Sequence, residues 1–374
     1  RDRVGGSGQG DRVGPGGGPG PVGRPDRDGG PRRDGRDGQD GQVGQVGLRS
    51  RLPLVLVAGE RPSRSAYHPW PARSPGPAPP PGTLAEALEG LAALTDERLG
   101  VLAAPATGAL PQLPVALAGC EAPGGGVLTS GAARADLARL DALCRAVELR
   151  CGTGRVVAGA GPGHALGRAL RRAALRGPAP GPGAAPWDPY GGGHPHARHW
   201  WGVLTRRLGV RAELYVTPLD PAGTVHRADV RAGTSGSGPL LGQAVEAGAG
   251  DAAAFAALAA VVRVRAAELV PAGRHVSAAG GESCVLAAAG VVPAPWEDER
   301  WAAGWWAAVA GREAALHTAL RGLTGLRTAA WEPAGPEERA FAAALRGCGF
   351  TVLDVRDAPG SGAVSPTAPR GGPR

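Results

Sequence analysis

Four residue types are missing from this 374-residue chain: it has no Met, Lys, Ile or Asn. All four have AT-rich codons, so a GC-rich coding sequence accounts for the set without any functional demand. The lack of Lys removes the lysine that a P-loop needs for a nucleotide's phosphates. Hydrophobic runs are short, none approaching the roughly 20 residues of a membrane span, and no secretory signal is legible. The five cysteines, Cys120, Cys144, Cys151, Cys284 and Cys348, are odd in number and scattered, with no Cys-x-x-Cys pair. That pattern excludes a disulfide framework and a zinc ribbon, and the expected location is cytoplasmic.

Charge is the next thing to weigh. The formal net charge is +8, and every basic residue behind it apart from His is Arg. A nucleic-acid surface needs such residues clustered. Here they are spread along the chain and interleaved with Asp near the start, so a solvated surface is the better reading and an Arg-rich nucleic-acid binder the weaker alternative.

Glycine (64) and proline (37) together exceed a quarter of the residues and concentrate at the two ends. With no collagen-like period, residues 1–82 read as a disordered Gly-, Arg- and Pro-rich region and linker, and 361–374 as a disordered tail. A short strand at Leu52–Ala58 is the exception expected there. Residues 83–360 suffice for one large domain with its own core.

Within that stretch, Thr83 and Glu86 form a capping box ahead of Leu84, Leu88, Leu91 and Leu94 at helical spacing. Leu99–Ala104 and Leu113–Ala118 read as strands. Ala133–Arg150 reads as a helix closed by Gly152, and His164–Arg176 as a helix with an Arg-bearing face. Leu208–Thr217 and Thr224–Ala232 are strands joined by a turn at Asp220–Gly223. An Ala-rich helix runs from an Asp251 cap to about Leu269. Another covers Trp296–Arg321, with Glu297, Asp298 and Glu299 complementing its dipole. Strand Leu326–Trp331, helix Pro336–Arg346 and strand Phe350–Val355 predict a parallel pair with a crossover. The fold class is α+β, with α/β as the alternative: mixed sheets packed by helices.

The segment from Thr129-Ser130-Gly131 through Asp141–Gly152 carries a resemblance. Its last part, DALCRAVELRCG, is similar to the SALCEALERYSG stretch of YcaO-type cyclodehydratases. The preceding LTDERLGVLAAPATGALPQLPVALA is similar to that family's lead-in. HWWGVLTRRLGV, GDAAAFAALAAVVRVR and LRGCGFTVLDVRD follow in the family's order, so the resemblance covers residues 83–357. It implies a YcaO-like domain in ribosomal-peptide natural-product biosynthesis. Such enzymes use ATP and Mg²⁺ to activate an amide oxygen of a precursor peptide, onto which Cys, Ser or Thr closes as an azoline. No leader-binding domain is legible before Thr83, so a separate leader-binding partner is implied beside the precursor peptide.

Positions i, i+4 and i+7 share one helix face, and there the family has Ser, Glu and Glu. This chain has Asp141, Arg145 and Glu148. Asp141 and Glu148 are the candidate magnesium ligands, because hard cations take oxygen donors. Arg145 is a fixed cation one turn from both acids, and an Asp141–Arg145–Glu148 ladder would satisfy all three side chains without nucleotide. The family's second acidic site corresponds to Phe255–Arg265, which holds no acid. There Arg263 and Arg265 are the candidate phosphate contacts. These departures leave two expectations open: a cyclodehydratase, or its non-catalytic companion. A scaffold without ATP chemistry is the alternative.

Three further features have plainer readings. His194, His196 and His199 beside Trp200 and Trp201 are either metal ligands or loop and core, and Pro195 is expected to break helicity there. Trp296, Trp301, Trp305 and Trp306 form a stripe at helical spacing that reads as core. Gly159-Ala160-Gly161-Pro162-Gly163 precedes a helix like a phosphate loop, but Pro162 removes an amide donor.

Overall fold

The computed structural model describes residues 54–57, 66–69, 84–96, 100–108, 110–121, 127–152, 154–177, 186–233, 238–268, 275–277 and 300–356. Most of 1–82, all of 361–374, the Thr83 cap, the loop at 178–185 and the acids at 297–299 lie outside them. Two strands in the N-terminal region are described. β1 (Leu54–Val57), expected from its apolar run, pairs antiparallel with β2 (Ala66–Pro69), which was not expected.

α1 (Leu84–Leu94) buries Ala87, Leu91 and Leu94, one face at the expected spacing. The strand expected at Leu99–Ala104 does not form over its described residues. The amides of Val101 and Leu102 both donate to the Leu94 carbonyl, at 2.9 and 3.2 Å, so this segment folds back to close α1. The following strand starts later than expected, as β3 (Ala116–Glu121), because Pro114 has no N–H for the ladder.

β3 pairs antiparallel with β4 (Val127–Ala132), and β4 pairs parallel with β9 (His275–Ser277). Residues alternate across a strand, and β4 is covered on both sides. Ser130 reaches α2 (Ala135–Arg150), while a Cβ on Gly131 would lie 2.5 Å from Val262 of α5 (Ala249–Ala267). On its far side α5 meets a second sheet of β6 (Ala212–Pro218), β7 (His226–Ala232) and β8 (Leu240–Glu246), all antiparallel. A Cβ on Gly242 would stand 2.2 Å from the Ala256 carbonyl, so backbone nearly touches backbone there. The central order is therefore helix, sheet, helix, sheet, with α5 buried among the layers.

The expected β6–turn–β7 hairpin is present. Asp220 accepts from the amides of Thr224 and Val225, both at 2.8 Å, and Gly223 takes φ +63°. Asp251 sits in the first turn of α5, where Gly248 rather than Asp251 is the N-cap residue. Gly152, at φ +75°, ends α2 as expected.

A third sheet orders β10 (Arg327–Ala330), β11 (Thr351–Arg356) and β5 (Val156–Gly159), antiparallel throughout. The parallel pair predicted for β10 and β11 is therefore corrected. α7 (Pro336–Gly347) does not cross over the strands. It extends from one end of the hairpin and docks elsewhere: Phe341 lies 4.8 Å from the Arg150 guanidinium of α2, and the Cys348 carbonyl sits against Gly90 of α1. A helix whose apolar face has a partner off the sheet need not return the chain in the parallel sense.

α3 (Pro162–Arg176) follows β5 and packs near β8 and α6 (Arg300–Thr324). α4 (Pro195–Gly202) continues into a π-helical turn, Val203–Arg207. Helices and mainly antiparallel sheets make this an α+β fold; the parallel α/β alternative is not what forms. Among the described residues, no helix is long and apolar enough to cross a membrane.

Candidate functional site

α2 presents Asp141, Arg145 and Glu148 along one face, as their spacing requires, with Asp141 fully buried against β4. Thr129–Gly131, expected as a turn, is part of strand β4, and the Ser130 hydroxyl donates to Asp141. Arg145 Nε donates to Asp141 Oδ2 at 3.0 Å, which is the first rung of the expected ladder.

The second partner comes from another helix. Arg168 of α3, with no exposed surface, donates from Nη1 to Asp141 Oδ1 at 2.8 Å and from Nη2 to Glu148 Oε1 at 3.0 Å. Arg172, one turn on, donates to Glu148 Oε2 at 3.0 Å. The Ala158 amide at β5 adds a bond to Glu148 Oε1 at 3.1 Å. All four carboxylate oxygens are thus engaged, three guanidinium groups serving two acids.

The electrostatics follow from this geometry. Burial pushes the Asp141 pKa up, but Arg145 and Arg168, with the Ser130 hydroxyl, outweigh it and hold the carboxyl at about 2. Glu148 is also lowered: burial opposes this, and Arg168, Arg172, Arg145 and the Ala158 amide prevail. Cys144, between the two acids on the same helix, is pushed up to about 12, mainly by burial, so its thiol is inert.

These residues do not fit a magnesium ion as arranged. A hard cation takes near-octahedral oxygen ligands at about 2.1 Å, and the Arg168 guanidinium bridges the very carboxylates that would supply them. Among the described residues no group of three or more His, Cys, Asp or Glu is placed to hold a metal. Arg263 is exposed on α5, and Arg265 pairs with Glu268 at the end of its own helix. Beyond Arg145 of α2 itself, the cations brought to Asp141 and Glu148 come from α3.

A second buried cluster lies on the same helix. Arg171 is bidentate to Glu246 of β8, at 3.1 and 3.1 Å, and to Glu313 of α6, at 2.5 and 2.6 Å. His317 reaches Glu313 at 2.7 Å. Here burial, with Glu313 close by, lifts Glu246 to about 7 against the pull of Arg171.

Sequence reasoning did not single out Arg168, Arg171 or Arg172. A signal was present: on the helix PGHALGRALRRAALR, Arg168 and Arg171 fall in the stripe of Ala165 and Leu175, where a solvated arginine would not sit.

His194 and His196 of the histidine cluster take part in packing, while His199 is exposed. Pro195 starts α4 at its first turn rather than breaking it, as suits a residue without an N–H. His194 caps that helix, accepting from the Ala197 amide at 3.2 Å, and its other nitrogen lies 3.2 Å from Asp251. Asp251 also accepts from Trp305 at 2.8 Å and from Arg312 at 2.6 Å, tying α4, α5 and α6 together. His196 stacks on Trp305 with ring centroids 4.1 Å apart, and burial with His194 nearby lowers it to about 4. Trp305 and Trp306 are core, as the stripe suggested; Trp296 lies outside the described residues.

The glycine loop before α3 also turns inward. Its Ala160 amide is taken by His164 Nδ1 at 3.0 Å, and Gly159 lies against the Ala165 backbone. No family model matches the chain, and searches of curated proteins and of solved structures give no significant match.

Proposed function

We propose that this chain is a YcaO-like protein acting as the non-catalytic companion of an ATP-dependent azoline-forming enzyme on a ribosomal precursor peptide. The observation that carries the reading is the Arg168 guanidinium spanning Asp141 and Glu148. The family resemblance assigns those positions to the nucleotide and its Mg²⁺. An internal cation that satisfies both acids supplies the neutralisation a metal would bring, so the helix keeps its place without cofactor. On this reading ATP and Mg²⁺ belong to a catalytic partner, and this chain contributes binding surface for the precursor or for the leader-binding protein. A scaffold with no connection to peptide maturation is the second reading, favoured by the same fully paired acids.

The test uses the purified chain, ATP, Mg²⁺ and a Cys-rich precursor peptide, with and without an ATP-dependent azoline-forming enzyme active on that peptide. Each ring formed removes one water, which mass spectrometry reads directly. The expected result is no phosphate release and no water loss with this chain alone, and faster ring formation when it joins the enzyme. ATP turnover by the chain alone would overturn the companion reading. No effect on the enzyme would leave the scaffold reading in its place.

A further inference from the structure

Among the described residues β10 is the outer strand of its sheet, in the order β10, β11, β5, and all four of its residues are exposed. Exposed residues alternate onto both faces of the strand. Natural sheets usually shield or blunt such an edge, because its unpaired amides and carbonyls accept another strand. The direction of those groups follows from the ladder. The Trp331 amide donates to the Val352 carbonyl at 3.1 Å, continuing the register in which Ala329 faces Asp354 and Arg327 faces Arg356. Hydrogen-bonded positions alternate in an antiparallel pair, so Arg327 and Ala329 bond to β11. Thr328 and Ala330 turn their N–H and C=O groups outward.

The side chains supply the preference. Arg327 and Arg356 are direct cross-strand partners, and like charges so placed repel. Arg356 is relieved by Asp354 at 3.2 Å, whereas Arg327 makes no ion pair among the described residues. Arg321, in the last turn of α6, is exposed as well. On the open side, Arg327 and Ala329 occupy non-hydrogen-bonded positions, where opposed side chains approach most closely.

We propose that β10 takes up an extended acidic peptide segment as an added strand, with a carboxylate opposite Arg327 and an apolar side chain opposite Ala329. Backbone bonds from Thr328 and Ala330 give affinity without sequence preference, and Arg327 selects for acid. The inference is independent of what the acid site on α2 does. A second copy of the chain is a poorer occupant, since antiparallel self-pairing would add further Arg327 charge to the same edge.

The probe is a fluorescein-labelled peptide of repeating Glu-Thr-Val-Thr with blocked ends, which sets Glu and Val two residues apart on one face, titrated into the full chain and followed by anisotropy. Saturable binding is expected, with the Thr328 amide slowed in hydrogen exchange when peptide is present. Thr328→Pro removes an outward donor while leaving the β10–β11 bonds intact, and weakens binding at least tenfold. Arg327→Glu, a surface change, loses the Glu-Thr-Val-Thr peptide and gains the matching Lys-Thr-Val-Thr peptide. The proposal fails if wild type binds both peptides equally, or if Thr328→Pro leaves affinity unchanged. It also fails if single-stranded RNA displaces the peptide and binds more tightly. A dimer that Thr328→Pro dissolves, seen by sedimentation without peptide, would assign the edge to a second copy instead.

Discussion

Arg168 and Arg171 lie one turn apart on α3, both without exposed surface and each holding two carboxylates, yet one acid of the second site behaves unlike the other three. Around Arg168 the cations outnumber the acids, because Arg145 and Arg172 also contribute, and both carboxyls are held below their usual range. Around Arg171 one guanidinium serves two acids, with His317 as the added donor and Asp251 raising Glu246 further. Glu313 is held at about 2 against burial, by Arg171 and then His317, while Glu246 rises to about 7. The identity of a buried arginine therefore says little about the charge of its site. The count of partners decides it.

The largest effect should come from Arg168→Met. It leaves Asp141 and Glu148 buried without their shared cation, and breaking a buried pair in this way costs about 3–5 kcal/mol. Denaturant unfolding at neutral pH measures it, and a loss below about 1 kcal/mol would mean that Arg145 and Arg172 carry the site.

Glu246→Gln should act through pH. A carboxyl whose folded pKa is raised from 4.5 to about 7 adds stability that is fully present below the unfolded value and fades as pH rises through the folded one. The wild-type chain should lose stability between pH 4.5 and 7.5, and the Gln variant should flatten that slope. Asp141 works in the other sense, its contribution fading as pH falls from 3.8 toward about 2. A slope unchanged in the variant would assign the near-neutral titration to another group.

The smallest effect belongs to Arg145→Ala, at about 1 kcal/mol, because Asp141 keeps Arg168 and Ser130. Thermal unfolding checks it. A loss as large as that of Arg168→Met would make the ladder within α2 the dominant support.

The comparison also shows what the sequence made legible. Partners within one element were readable, since i, i+4 spacing placed Arg145 beside Asp141, and Gly152 and Asp220–Gly223 marked a helix end and a turn by local chemistry. Arg168 and Glu246 lie far in sequence from the acids and the arginine they serve, and only the packing of α3 against α2, β5 and β8 brings them together. The antiparallel return of β11 was hidden for the same reason. The pattern of strand, helix and strand says nothing about where the helix finds its apolar partner, and α7 finds it on α1 and α2. The same distance hid the outer place of β10, whose short sequence looks ordinary until the strand order of the described residues is known.

α5 carries a last consequence. It lies between two sheets, one meeting its Val262 side chain at Gly131 and the other meeting its backbone at Gly242, and most of its buried residues are alanine. Such a helix tolerates almost no added atoms, so inherited change there is confined to alanine, glycine and a few small apolar residues. The codons for alanine and glycine are the ones a GC-rich coding sequence supplies most often. Mutational drift and steric selection thus pull the same segment in one direction, and that interior helix should be slow to diverge.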